Sequence, residues 1–179
     1  MPKIITQEYL KSILYYDPLT GDFVWTRSSK NNQHEAGTIA GYTPTYGGSE
    51  GYVMIGIDGE HYRAHRLAFL YITGTIPAHV DHEDRNRSNN KWDNLRCADK
   101  QSNAANVGIR SDNTSGYKGV SYRSDKNRTK KWRAHIYKNG KQIVLGTYHT
   151  KIEAAKAHDE AAIILFGEFA VTNKILGLI

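Results

Sequence analysis

Apolar and polar residues alternate along the C-terminal third of the chain, which is typical of strands with one buried face. The alternation covers residues 117–123, 131–138 and 141–148. The last two of these segments flank Asn139-Gly140, the residue pair that most favours a two-residue hairpin turn. The pattern therefore predicts a three-stranded antiparallel sheet.

A helix is predicted directly after the third strand. Residues 150–167 are rich in alanine and end at a glycine. Thr150 and Glu153 have the spacing of a capping box, which marks the start of a helix. Because alanine side chains are small, this helix can lie close to the sheet.

Shorter elements of both kinds are predicted in the N-terminal part, so the expected fold class is α+β. Thr6 is a suitable helix cap, and Asp58-Gly59 favours a second hairpin with a type I′ turn. The predicted elements are helices at 6–16, 65–74 and 98–106, a strand at 22–26 and the hairpin at 51–66.

Charge is distributed unevenly along the chain, with a net charge of −1 over residues 1–113 and +7 over residues 114–179. A basic half of this kind indicates a polyanionic partner, and nucleic acid is preferred over a merely solubilising surface. Residues 108–116 are rich in Gly, Ser, Asn and Asp and predict a linker. The predicted domains are therefore 1–107 and 117–179.

Composition excludes several classes of protein. The longest apolar runs have six residues, whereas a membrane-spanning helix needs about 20. The single cysteine excludes an internal disulfide and any Cys-x-x-Cys zinc site, so no zinc is expected. No apolar leader segment is present at the N-terminus, and a cytoplasmic location in a bacterial host or phage-infected cell is expected.

The predicted C-terminal sheet has one apolar and one polar face. Trp132, Ala134 and Ile136 share the face toward the helix, while Arg133 and its alternate neighbours share the outer face. A basic ribbon of this kind fits the major groove of DNA, with lysines at the phosphates. The predicted DNA-binding residues are Lys118, Ser121, Arg123, Lys126, Lys130, Lys131, Arg133, His135, Tyr137 and Gln142.

Residues 114–174 resemble an AP2/ERF DNA-binding domain. The resemblance rests on "YKGVSYR", "WRAHI", "LGTYHTKIEAAKAHDEAA" and "GEFAVTN". It implies a three-stranded sheet packed on one helix, with the sheet bound in the major groove of double-stranded DNA.

The stretch "VDHEDRNRSNNKWDNLRC" at 80–97 has the residue types that phosphodiester hydrolysis requires. His82 can act as a base, and Asp81, on the opposite side of a strand, can bind a metal. An asparagine carbonyl can accept a hydrogen bond from the second ring nitrogen and fix the tautomer of the histidine. Glu83 and Asp84 are alternative metal ligands, and oxygen ligands favour Mg²⁺.

This stretch and its flanks resemble HNH endonucleases, specifically the phage homing-type group. The resemblance implies a ββα-metal fold with strands near 78–82 and 95–98. It also implies that His82 is the general base, that Asn94 orients it, and that Asp81 and Asn103 hold Mg²⁺ or Mn²⁺. The matching residues are His65, Arg66, Leu67, Val80, Asp81, His82, Asp84, Asn89, Asn90, Asn94, Leu95, Arg96, Asn103 and Asn106.

The sequence is thus interpreted as a DNA endonuclease of two modules, a monomer or homodimer, that acts on double-stranded DNA. His65 and Arg66 are interpreted as structural residues. A DNA-binding regulator that no longer cuts is the alternative, and an RNA-binding or RNA-cutting protein is a third hypothesis. Nicking, double-strand cleavage and the biological role stay open.

Overall fold

The computed structural model describes residues 5–29, 33–99, 105–124 and 129–179. The chain divides into two compact units, Met1–Ala98 and Asp99–Ile179. Each unit has its own hydrophobic core, and both contain helices and small antiparallel sheets. Within the described part of the chain, no helix has the length and apolar character that a membrane span requires.

The first unit begins with a short helix and a two-stranded sheet. Helix α1 (Gln7–Ile13) is capped by the Thr6 hydroxyl, which accepts from the Tyr9 backbone nitrogen. The predicted helix at 6–16 is too long, because Leu14–Tyr16 form strand β1 and pair with β2 (Phe23–Trp25). This pairing with the next strand overrides the local helical pattern.

A hairpin and a second helix follow, as the sequence predicted. Strands β3 (Met54–Ile57) and β4 (Glu60–Arg63) flank Asp58 and Gly59, which have φ angles of 52° and 85°. Positive φ at both positions is the requirement of a type I′ turn. Helix α2 (Ala64–Thr73) starts directly after β4 and ends at Gly74, which has a left-handed conformation.

The last hairpin of the first unit contains the Asp-His pair. Strand β5 (His79–His82) pairs antiparallel with β6 (Leu95–Ala98), and the loop between them ends in a short 3₁₀ turn, Trp92–Asn94. Val80 and Leu95 join the core that α1 and α2 also form. The hairpin is thus anchored to the rest of the unit by apolar contacts.

The second unit is a three-stranded antiparallel sheet with one long helix. Strands β7 (Val120–Tyr122), β8 (Trp132–Lys138) and β9 (Lys141–Tyr148) lie in this order. Helix α3 (Lys151–Phe166) begins with the predicted capping box, since Thr150 and Glu153 each accept from the other's backbone nitrogen.

The inner face of this sheet packs on α3 as predicted. Ala134 and Ile136 are buried against alanines of the helix, and Trp132 is partly buried beside them. Tyr122, two residues after the buried Val120 in β7, is 54% exposed and packs edge-on against Trp132 at 5.1 Å between ring centroids. It lies at the end of β7, where the sheet extends past its buried core.

The predicted linker lies within the second unit and is hydrogen-bonded to the start of the sheet region. Asn113 Nδ2 and Ser115 Oγ both donate to the Tyr117 carbonyl at 2.9 Å. The predicted helix at 98–106 falls mostly on residues outside the described ranges, as do Asn103 and Lys126.

Candidate active site and basic sheet face

Asp81 and His82 lie side by side on β5, opposite Arg96 and Leu95 of β6. Both side chains are buried, and His82 is only 4% exposed. The loop 83–94 folds back over the end of the hairpin, since the Glu83 backbone nitrogen donates to the Asn94 carbonyl at 2.9 Å. A strand pair rather than a loop therefore positions the candidate chemistry.

Among the residues that the structure describes, Asn90 is the asparagine that lies within hydrogen-bond distance of His82. Its Oδ1 lies 3.3 Å from His82 Nε2, and its Nδ2 donates to the Ser88 carbonyl at 3.1 Å. Because Nδ2 is used as a donor, Oδ1 faces the imidazole and the Nε2 atom carries the hydrogen. This tautomer leaves Nδ1 of His82 as the ring atom with the lone pair.

Burial lowers the pKa of His82 below its ordinary value. The hydrogen bond with Asn90 and the charges of Asp84 and Asp81 oppose this shift, while the charge of Arg87 adds to it. A lowered pKa keeps the imidazole neutral at neutral pH, and only the neutral ring can accept a proton.

Asn94 holds the loop together and does not bond to His82 in the described structure, unlike the contact that the sequence predicted. Its Oδ1 accepts from the Asp84 backbone nitrogen, and its Nδ2 donates to Asp84 Oδ1 and to the Asn89 carbonyl. Sequence reasoning missed Asn90 because it lies in a run of polar residues that reads as an ordinary turn.

The two alternative metal ligands have different surroundings. Burial raises the pKa of Asp84, but hydrogen bonds from Asn89, the Asn86 backbone and Asn94 outweigh it and lower the pKa overall. Both carboxylate oxygens of Asp84 thus serve the loop. The side chain of Glu83 is exposed.

Asp81 is paired with a cation in this structure. Both Nε and Nη2 of Arg96 lie 2.9 Å from Asp81 Oδ2. A carboxylate is a suitable ligand for a hard divalent cation, and an amide oxygen such as that of Asn103 is another. Across residues 5–29, 33–99, 105–124 and 129–179, no group of three or more His, Cys, Asp or Glu side chains could hold a metal.

A second histidine lies beside His82. The rings of His65 and His82 meet edge to face at 4.9 Å between centroids, and the Tyr52 ring lies 5.1 Å from His65 and 6.1 Å from His82. Burial is the main cause that lowers the pKa of His65 to about 3. The ring of His65, interpreted from sequence as structural, therefore stays neutral next to the candidate base.

The outer face of the second unit's sheet carries predicted DNA-binding residues in neighbouring positions. Ser121 pairs with Arg133 across β7 and β8, and Tyr137 pairs with Gln142 across β8 and β9. Gln142 Nε2 donates to the Tyr137 hydroxyl at 2.9 Å, and the His135 and Tyr137 rings lie 5.8 Å apart. The strand register thus brings these five side chains onto one surface.

Polar atoms on this face are buried without hydrogen bonds. Ser121 Oγ, Arg133 Nε and His135 Nδ1 are shielded from solvent and have no partner among the residues that the structure describes. An unpaired buried polar group costs about 1–3 kcal/mol, so such groups are usually paired or functional.

The predicted phosphate contacts are placed less uniformly. The Lys118 ammonium donates to the carbonyls of Ala105 and Val107 at 2.7 and 2.6 Å, so it holds the preceding segment to the sheet. Lys130 is exposed at the start of β8, and Lys131 and Arg123 are partly exposed. Lys126 lies outside the described residues.

Comparison with known proteins gives the same two modules. A family model described as HNH endonuclease matches residues 62–105, and the chain is 37% identical over 133 residues to the uncharacterized HNH endonuclease L560 of Acanthamoeba polyphaga mimivirus. Residues 62–105 therefore form a segment of the HNH endonuclease family. A second family model, the AP2 domain, matches residues 115–168. The resemblances to HNH endonucleases and to the AP2 domain, and the α+β fold class, are thereby confirmed.

Two other relatives each align with only a part of the chain. Protein 3.8 of Escherichia phage T7 is 35% identical over 82 residues, and the AP2-like ethylene-responsive transcription factor TOE2 of Arabidopsis thaliana is 39% identical over 64 residues. These alignments cover 45% and 36% of the chain, and the mimivirus alignment covers 73%. They span 66% of the mimivirus protein, 65% of the phage protein and 13% of the plant factor.

Proposed function

We propose that the protein is a metal-dependent endonuclease of the homing type that hydrolyses phosphodiester bonds in double-stranded DNA. The observation that carries the proposal is a buried, neutral His82, held in one tautomer by Asn90, inside the segment that matches the HNH family. Such a base is what activation of a water molecule requires.

His82 accepts the proton of the attacking water at Nδ1, since Nε2 donates to Asn90. Asn94 keeps the loop 83–94 closed over the hairpin, and so acts on the base through the backbone and Asn90. HNH nucleases generally depend on a divalent metal, and Asp81 and Asn103 are the proposed ligands for Mg²⁺ or Mn²⁺. The ion, when bound, supplies positive charge to the phosphate and to the leaving oxygen. Arg96 holds the Asp81 carboxylate in place.

The AP2 domain is proposed to bind the major groove and to bring the nuclease module to its target. Its outer sheet face combines a high positive charge with unpaired polar atoms on Ser121, Arg133 and His135. Base edges in the major groove offer the donors and acceptors that these atoms lack. We propose further that the protein works in the cytoplasm of a phage-infected or bacterial cell, as a monomer or homodimer, with one strand cut per active site.

The test is cleavage of supercoiled plasmid and of genomic DNA from the source by the full chain. Cutting in Mg²⁺, none in EDTA, and an unchanged melting temperature in EDTA are the expected results, since two protein ligands hold the ion only weakly without DNA. A folded chain that binds duplex DNA but cuts nothing in Mg²⁺ or Mn²⁺ contradicts the nuclease and supports the non-cleaving regulator.

A further inference from the structure

Two arginines from separate elements stack on one tyrosine next to His82. The guanidinium carbon of Arg63 lies 4.5 Å from the centre of the Tyr52 ring, and that of Arg87 lies 4.9 Å from it. Arg63 ends β4 at the start of α2, while Arg87 belongs to the loop 83–94. We call Arg63 and Arg87 the arginine pair, and Tyr52 its tyrosine platform.

The arginine pair lies beside the proposed chemistry. The Tyr52 ring is 6.1 Å from the His82 ring and 5.1 Å from the His65 ring, between ring centroids. Both guanidinium groups lie over this ring, so the two cations are near the two imidazoles.

Each guanidinium group of the pair donates one hydrogen bond to a described residue. Arg63 Nη2 donates to the Gly48 carbonyl at 3.3 Å, and Arg87 Nη1 donates to the Glu50 carbonyl at 3.1 Å. A guanidinium has five N–H donors, and the described residues provide no other partner for either arginine. The Nδ1 atom of His65, buried in the same cluster, also lacks a hydrogen-bond partner among them.

We infer that Arg63 and Arg87 bind a backbone phosphate of DNA at the nuclease site, and that Tyr52 fixes the planes of their guanidinium groups. Guanidinium is always charged and matches phosphate oxygens with two parallel hydrogen bonds. Stacking on an aromatic ring orients such a group in advance. Two oriented cations on a ring that lies 6.1 Å from the His82 ring suit the phosphate that is cut. This inference rests on the proposed function.

A purely structural role is the competing explanation, because both arginines also hold the segment 44–53 through Gly48 and Glu50. The two roles differ in their salt dependence. Each phosphate neutralised by a protein cation releases counterions and contributes about 0.9 to the slope of log affinity against log salt. A residue that only holds the loop contributes nothing to this slope.

The experiment measures duplex binding by the full chain in the His82→Ala background, where no cutting interferes. Because both arginines bind the same phosphate, the double variant Arg63→Gln/Arg87→Gln is expected to reduce the salt slope by about 0.9, and each single variant by a part of that. Arg27→Gln removes an exposed arginine from another part of the same unit and is expected to leave the slope unchanged. Arg63→Lys and Arg87→Lys keep the charge and should restore most of the slope, and melting temperatures check the fold of each variant.

A neutral methylphosphonate placed in turn at each position of the protected duplex identifies the phosphate. At one position or two adjacent ones, the losses in affinity from the modification and from Arg63→Gln or Arg87→Gln should not add, because both remove the same contact. Unchanged salt slopes, or full additivity at every position, would overturn the inference. Failure of the wild-type chain to cut contradicts the nuclease alone, since slope and additivity report on phosphate contact without cleavage.

Discussion

The β5–β6 hairpin and the outer face of the AP2 sheet treat their polar groups in opposite ways. In the hairpin, His82 lies within hydrogen-bond distance of Asn90. Asn94 forms hydrogen bonds with both the backbone and the side chain of Asp84. On the sheet face, Ser121, Arg133 and His135 each have a buried polar atom without a partner.

The difference indicates whether the hydrogen bonds of each region form before or after DNA binds. A site that performs chemistry must hold its base in place before the substrate arrives, and internal hydrogen bonds do this. A recognition surface can leave donors and acceptors unpaired at a cost of stability, because the correct partner then restores them and an incorrect one does not.

The largest expected effect in this comparison comes from His82→Ala. Loss of the proposed base should slow cleavage by about 10²–10⁴-fold, while duplex affinity stays the same, because His82 is proposed to act on the attacking water and not to hold DNA. The measurement is plasmid cleavage beside a binding titration. His61→Ala alters another histidine of the same unit and should cut normally. Near-normal cutting by His82→Ala would show that another group is the base.

Arg133→Ala tests the unpaired side of the comparison. Because Arg133 is proposed to contact base edges in the major groove, the substitution should weaken DNA binding by about 1–3 kcal/mol and blur the sequence preference. The measurement is affinity for the preferred duplex and for a scrambled one. Arg110→Ala, an exposed arginine that pairs with Asp112, is the control and should change little. An equal loss in the two variants would mean that only total charge matters.

Asn94→Ala tests the paired side. The substitution removes three hydrogen bonds of the loop 83–94 and leaves the Asp84 backbone nitrogen without its partner. The free energy of unfolding of the first unit should fall by about 1–2 kcal/mol. Denaturant titration measures it, and Lys91→Ala, an exposed change next to the same turn, is the control. If Asn94→Ala is as stable as the wild type, the loop does not depend on this network.

Ser121→Ala gives the smallest effect and the opposite sign of stability change. The buried hydroxyl of Ser121 gives up its hydrogen bonds to water on folding and gains no partner, whereas alanine has no hydroxyl to bury. The substitution should therefore leave the melting temperature unchanged or raise it. Affinity for duplex DNA should fall by about 0.5–1.5 kcal/mol, the contribution of one hydrogen bond. A lower melting temperature together with unchanged affinity would indicate that the hydroxyl serves the fold instead.

Local patterns in the sequence were sufficient for several elements and not for others. The Asp58-Gly59 turn and the Thr150–Glu153 capping box follow from residues adjacent in the chain, and both are confirmed. The strand at Leu14–Tyr16, where a helix was predicted, depends on pairing with Phe23–Trp25. The hydrophobic periodicity of residues 6–16 alone does not contain this pairing.

The candidate site shows the same division. Asp81 and His82 were found because their spacing is a family signature, but the contact of Asn90 with His82 depends on how the loop 83–94 closes. The arginine pair has no sequence signal at all, since β4 and the loop meet at Tyr52 only in three dimensions. Asn103 and Lys126 stay predictions, because they lie outside the described residues.

The two units are contiguous in sequence, and their cores share no residue. The core of the first unit ends at Leu95, and the cores of the second begin after the boundary at Asp99. A single genetic crossover between codons 106 and 114, after the HNH match and before the AP2 match, therefore breaks neither core and neither matched segment. Descendants of such an event inherit an intact HNH segment with a new AP2 domain, so under the proposed function target choice can evolve by recombination rather than by stepwise mutation.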